Sequence, residues 1–95
     1  MNAKLIRLES IADAAHAQLR QCGESLRKAR EEFDALDRHR ENLEEKDFSL
    51  SAPDKTRHET LSARIEHLVE KYDELRADHR AKRDLFTRCK EHADG

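Results

Sequence analysis

The stretch DFSLSAPDK, residues 47–55, decides the fold of this chain because it interrupts two long segments with helical periodicity. Pro53 disfavours helical backbone at Ala52 and is not tolerated in a helix interior. Ser51, three residues before Asp54, resembles a capping box in which Asp replaces the usual Glu, and Pro is tolerated in a first helical turn. The stretch therefore predicts that one helix ends and a second begins here.

The segments on either side of this loop each carry a heptad repeat. In the first, the a and d positions are apolar with one exception, Arg40: Leu5, Leu8, Ala12, Ala15, Leu19, Cys22, Leu26, Ala29, Phe33, Leu36, Arg40 and Leu43. In the second, these positions are more polar towards the C-terminus: His58, Leu61, Ile65, Leu68, Tyr72, Leu75, His79, Lys82, Phe86 and Cys89. Repeats of this length are typical of coiled coils. We expect one domain, residues 1–95, with helices over about residues 3–46 and 53–92 and a loop over about 47–52.

The two repeats are out of phase with each other. Leu43 and Leu61 both occupy d positions, but the separation between them is not a multiple of seven. One continuous helix would therefore carry its apolar stripe on different sides before and after the loop. Because a short connection favours antiparallel neighbours, the sequence predicts an all-α fold, an antiparallel two-helix coiled-coil hairpin.

The register of this hairpin follows from the position of the turn. With the turn centred near residue 50.5, the numbers of facing residues add to about 101, and every layer pairs an a residue with a d residue. This register places Ala29 opposite Tyr72 and Cys22 opposite His79. It also separates Cys22 from Cys89 by roughly 15 Å along the helices, beyond the reach of a disulfide, so both thiols are interpreted as small apolar packing residues.

Composition narrows the class of protein. Charged residues make up 42% of the chain, and its 19 Lys and Arg nearly balance its 21 Asp and Glu. With its charges nearly balanced, the chain has no strong net electrostatic field that would attract nucleic acid or anionic lipid. The sequence has no apolar run that could span a membrane and no signal-peptide core. We therefore expect no membrane partner, a cytoplasmic location and reduced cysteines.

A lone hairpin buries only one seam, which is little to offset the conformational entropy of folding. Five apolar residues lie off the heptad seams: Ile6, Ile11, Ala14, Val69 and Leu85. A broadened apolar stripe suits a bundle of three or four helices. We expect a homodimer of hairpins forming a four-helix bundle; a long monomeric hairpin and a hairpin completed by a different protein are the alternatives.

The basic residues near the end of the second helix suggest a different partner. Arg76, Arg80, Arg83 and Lys90 recur at helical spacing, as in a stripe that tracks phosphates. Acidic residues are interspersed among them and no aromatic platform accompanies them, so a solvated, salt-bridged face is the simpler interpretation. Nucleic acid remains a possible but disfavoured partner.

No motif for catalysis, a cofactor or a metal is present. The sequence lacks a phosphate-binding glycine loop, a nucleophile motif and the clustered ligands of a zinc site. We therefore expect neither an enzyme nor a cofactor or metal. The leading hypothesis is a protein-interaction module (adaptor, assembly factor, secretion-type chaperone or small inhibitor) that docks helix on helix through the exposed residues Ile6, Ile11, Val69 and Leu85. The second is a nucleic-acid-associated accessory protein that uses the basic stripe of the second helix.

Overall fold

The computed structural model describes the backbone of residues 2–94 and the side chains of residues 2–92. Helix α1 spans Ala3–Glu45 and helix α2 spans Ala52–Asp94, each 43 residues long. No strand occurs between residues 2 and 94. The predicted all-α helical hairpin is therefore confirmed, and the helices begin and end within two residues of the expected positions.

Polar side chains cap the start of both helices. The Lys4 backbone N–H donates to Asn2 Oδ1 at 2.9 Å, which satisfies one of the N–H groups that lack a partner in a first turn. At α2, the Asp54 backbone N–H donates to Ser51 Oγ at 3.3 Å and the Lys55 N–H donates to the Ser51 carbonyl at 2.9 Å. Ser51 is thus the N-cap that the sequence predicts.

A left-handed residue ends α1. Asp47 has a φ of 60°, the one positive value outside glycine among the described residues. The Phe48 N–H donates to the Leu43 carbonyl at 2.8 Å, and the Asp47 N–H donates to the Glu44 carbonyl at 3.0 Å. These two bonds are those of a Schellman motif, which turns the chain out of the helix at a position that usually holds glycine.

Replacing Asp47 by glycine should stabilise the hairpin. The left-handed conformation costs an L-residue roughly 1–2 kcal/mol, although Asp is among the residues that adopt it most readily. We expect Asp47→Gly to raise the free energy of unfolding by about 0.5 kcal/mol, since glycine also gains entropy in the unfolded chain. Asp47→Val should lower it by about 1–2 kcal/mol. Urea unfolding monitored by circular dichroism measures both, and equal effects of the two variants would contradict this description of the turn.

The seam between the helices is the one that the heptads predict. Every a and d residue named above, from Leu5 to Cys89, is buried or half-buried. Leu50, in the loop, is also buried, at 6% exposure, whereas Phe48 is 65% exposed. Of these two loop residues, Leu50 therefore packs at the end of the core and Phe48 does not.

Two compact units share these helices and differ in what they bury. The terminal unit comprises Met1–Gly23 and Lys71–Gly95, and the turn unit comprises Glu24–Glu70. All the buried leucines belong to the turn unit: Leu26, Leu50, Leu61 and Leu68. The buried residues of the terminal unit are small: Ala12, Ala15 and Cys22. Its large seam residues are only half-buried: Leu5, Leu8, Leu19, Tyr72, Leu75 and Phe86.

The register differs from the predicted one. A Cβ on Gly23 would lie 3.2 Å from Tyr72 Cε2, and the rings of His16 and His79 are 5.0 Å apart. In both contacts the residue numbers add to 95 rather than 101. The predicted layers of Ala29 with Tyr72 and of Cys22 with His79 are therefore wrong by nearly one heptad.

The predicted register is wrong because a shift of seven residues preserves the pairing of a with d. Heptad phase alone therefore cannot choose between the two registers. The position of the turn chooses instead: α1 ends at Glu45 and α2 begins at Ala52, which centres the turn near residue 48. The corrected register also explains Gly23. A mid-helix glycine costs about 1 kcal/mol relative to alanine, and here it leaves room for the Tyr72 ring.

Candidate interaction surface

The terminal unit has two distinct flanks. When a faces d in an antiparallel pair, the e positions of both helices line one side of the seam and the g positions line the other. A recess in this unit is lined by Glu9, His16 and Arg83, all e residues, together with seam residues. In the turn unit, a separate recess is lined by Ser25 and Arg64, both g residues. The contacts within each unit thus follow the heptad geometry.

The predicted interaction residues do not form one surface. Ile6 and Leu85 are each 48% exposed and Ile11 is 39% exposed. Ile11 and Leu85 both occupy g positions of the terminal unit, whereas Ile6 occupies a b position, next to the e side. Val69 is half-buried and belongs to the turn unit. Ile11 and Leu85 are therefore the pair that shares a flank.

Alanines complete the apolar centre of that flank. Ala14 and Ala81 occupy c positions, adjacent to g, and both are exposed. In the observed register their numbers add to 95, so they lie level with each other, and Leu85 lies within about one residue of Ile11. We call the four residues Ile11, Ala14, Ala81 and Leu85 the g flank. The signal that sequence reasoning missed is their common side, which needs the register as well as the heptad.

The basic stripe lies on the opposite side of the terminal unit. Arg76, Arg80, Arg83 and Lys90 are all exposed and occupy e or b positions. We call this side the e flank. Arg83 borders the same recess as Glu9 and Asp13. Because these carboxylates offset part of its positive field, the e flank is a mixed-charge surface rather than a purely basic one.

His16 and His79 form a ring contact beside this recess that the sequence did not predict. Their ring planes are tilted by 43° at the 5.0 Å separation given above. Two imidazoles supply at most two of the three or four protein ligands that zinc sites use. Within the part of the chain that the structure describes, no group of three or more His, Cys, Asp or Glu residues is arranged to hold a metal ion. What the structure shows of this pair is a ring contact between the two helices.

A polar cluster in the turn unit joins the two helices. His58 Nε2 lies 3.0 Å from Asp37 Oδ1, and because a carboxylate only accepts, the ring nitrogen donates. The His58 ring also packs on Phe33 at a centroid distance of 4.6 Å. Arg40 Nε donates to the same Asp37 oxygen at 3.0 Å. The hydrogen bonds from His58 and then from Arg40 hold the pKa of the Asp37 carboxyl below its usual range.

This cluster predicts a loss of stability in acid. A carboxyl whose pKa is lower in the folded than in the unfolded chain contributes stability above its unfolded pKa. That contribution is lost as the pH falls through the folded pKa, so the window for Asp37 lies below about pH 4. We expect the melting temperature to fall more steeply between about pH 4 and 2 for the wild type than for Asp37→Asn. Equal slopes, measured by circular dichroism at each pH, would show that the Asp37 contacts contribute nothing.

Neither helix, between residues 2 and 94, contains a segment long and apolar enough to cross a membrane. Comparison of the chain with protein-family models, with curated proteins and with solved structures finds no match.

Proposed function

We propose that this chain is a non-enzymatic protein-interaction module that docks helix on helix through the terminal unit. The observation that carries the proposal is the exposure of Ile11 and Leu85 on one flank. Exposed large aliphatic side chains gathered on one face are typical of binding surfaces, whereas single ones are ordinary.

The packing of the terminal unit supports the same proposal. Its buried seam residues are alanines and a cysteine, while its seam leucines and its seam aromatic residues remain half-buried. Further apolar burial contributes about 25 cal/mol for each Å² removed from water. A helix or helix pair laid along the unit would cover the edges of these half-buried side chains and stabilise both partners. Docking into a three- or four-helix bundle supplies that cover.

A capture experiment tests the docking function. The immobilised chain is compared with a variant carrying Ile6→Asp, Ile11→Asp and Leu85→Asp, which places a charge at each exposed aliphatic position of the terminal unit. An untagged copy of the chain is added to the lysate, and all bound proteins are quantified by mass spectrometry. We expect specific partners, the untagged copy included, to bind the wild type and to be reduced at least tenfold on the variant. The same set of proteins bound equally by both would overturn the proposal.

Binding of nucleic acid is the second candidate function, and the exposure of all four residues of the basic stripe favours it. The matched variant carries Arg80→Glu and Arg83→Glu, which reverses two charges on the e flank and leaves the g flank unchanged. A docking module keeps its protein partners in this variant and at high salt. Nucleic acid recovered with the wild type, released by salt and lost in the arginine variant would support the second candidate instead, since phosphate contacts depend steeply on salt.

A further inference from the structure

We infer that the g flank binds a second copy of the chain, with the two terminal units antiparallel across a two-fold axis that crosses both helices at the centre of the g flank. This inference rests on the proposed docking function and names its partner. A two-fold interface must be self-complementary, so each residue on one side of the axis has to suit the residue that the axis brings opposite it. The side chains around the apolar centre meet this condition.

The charges on this side of the terminal unit are segregated along the helices. Lys4 and Arg7 precede Ile11 at the g and c positions of α1, and Arg88 follows Leu85 at the next c position of α2. The numbers of Arg7 and Arg88 add to 95, so in the observed register the two guanidinium groups lie level with each other. All three basic residues are exposed. One end of the surface is therefore basic.

The other end is acidic. Asp78 and Glu74 occupy the g and c positions of α2 on the far side of Ala81, and in the observed register they lie level with about residues 17 and 21 of α1. Glu74 is exposed and Asp78 is half-buried. Asp78 Oδ2 accepts a hydrogen bond from Lys82 Nζ at 2.8 Å. Gln18 and Gln21, on α1 at this end, add no charge.

A two-fold axis through the apolar centre places the basic end of one copy against the acidic end of the other. The axis lies level with about residue 12 of α1. Residues that are equally far along the helices on either side of that level therefore face each other in the dimer. The axis crosses both helices, so each helix faces the same helix of the partner. Arg88 then falls opposite the partner's Asp78. Arg7 and Lys4 fall opposite the uncharged glutamines at about residues 18 and 21 of the partner's α1. Lys71, the next g residue, falls beyond the partner's Lys4 and meets no like charge from it. A parallel arrangement would instead place Arg7 and Arg88 against the same residues of the partner, and like charges at such short range repel.

The apolar centre suits a close approach of helices. Ala14 and Ala81 leave space between the larger Ile11 and Leu85, so each aliphatic side chain of one copy can pack beside an alanine of the other. Alternation of large and small residues is what lets facing layers interdigitate. The e flank offers no equivalent, because the e and b positions around Ile6 carry arginines, a lysine and carboxylates.

Sedimentation velocity over a concentration series tests the inference, with Leu85→Asp compared against Ile6→Asp. These two variants make the same chemical change at side chains with the same 48% exposure, on opposite sides of the terminal unit. We expect the wild type and Ile6→Asp to form dimers and Leu85→Asp to weaken dimerisation at least a hundredfold. Ala81→Arg, at an exposed helical position, repeats the test if circular dichroism shows that Leu85→Asp fails to fold.

A charge exchange tests the orientation. Arg88→Glu and Asp78→Arg should each weaken the dimer by about tenfold, because each creates like-charge pairs at two symmetry-related places. The double variant should recover most of the lost affinity. Failure of the double variant to recover would overturn the antiparallel arrangement.

The remaining outcomes separate this inference from the docking function. A monomeric wild type at all concentrations would overturn the inference, while the capture experiment with other proteins would still decide the docking function. Dissociation by Ile6→Asp and not by Leu85→Asp or Ala81→Arg would also overturn it, because the interface would then lie on the e side. A wild type that grows beyond a dimer would exclude a closed two-fold interface.

Discussion

We expect Leu26→Ala to lower the free energy of unfolding by about 3 kcal/mol, the typical loss for a leucine truncated in a well-packed core. Leu26 occupies an a position of the turn unit and is 8% exposed. In the observed register it faces Leu68, a d residue that is 9% exposed. Truncation removes apolar contacts and leaves a cavity between these layers. Alanine and leucine have similar helix propensities, so the loss reports packing rather than helix formation.

Ile6→Ala is the matched control for this prediction. Ile6 is a large aliphatic residue on the same helix but is 48% exposed, and a surface substitution away from special features changes stability by about 0.5 kcal/mol or less. Urea unfolding monitored by circular dichroism compares the variants at one fixed protein concentration, because self-association makes apparent stability depend on concentration. Equal losses for Leu26→Ala and Ile6→Ala would mean that the turn unit does not contain the core of the hairpin.

Leu50→Ala is expected to cost about 2–3 kcal/mol, although the residue lies in a loop. Leu50 is 6% exposed and borders a recess with Arg40 and His58, so it closes the end of the seam at the turn. Its neighbour Phe48 is larger but 65% exposed. Phe48→Ala should therefore cost less than about 1 kcal/mol.

The contrast between Leu50 and Phe48 is a sharp test because residue size predicts the opposite order. Both variants are measured by the same urea unfolding experiment. A larger loss for Phe48→Ala than for Leu50→Ala would show that the aromatic residue, not the leucine, covers the end of the core.

Much of this architecture could be predicted from the residues alone. Pro53 and Ser51 located the turn, and the phase difference between Leu43 and Leu61 excluded one continuous helix. The heptad also identified the seam residues, because a periodic apolar stripe has to face a partner wherever it lies in the chain. These features are local or periodic, so they do not depend on knowing which residues face each other.

The register and the surfaces could not be predicted in the same way. Pairing a with d is satisfied again after every shift of seven residues, so the contact of His16 with His79 became visible only with the turn in place. The left-handed Asp47 set that turn, and its sequence signal is weak because Asp is only one of several residues that tolerate this conformation. The flanks of Ile6 and Ile11 follow from their heptad positions, but the residues of α2 that lie beside each of them follow from the register.

Alkylation of the two thiols of the terminal unit reports on local opening of the hairpin. Cys22 is 6% exposed and Cys89 is half-buried, so an alkylating reagent should modify Cys89 first, since accessibility governs the attack. Modification of Cys22 requires that the helices of this unit separate, as amide hydrogen exchange does for a buried backbone group. The ratio of the two alkylation rates thus measures how often the ends of the hairpin part, without a probe being added to the protein.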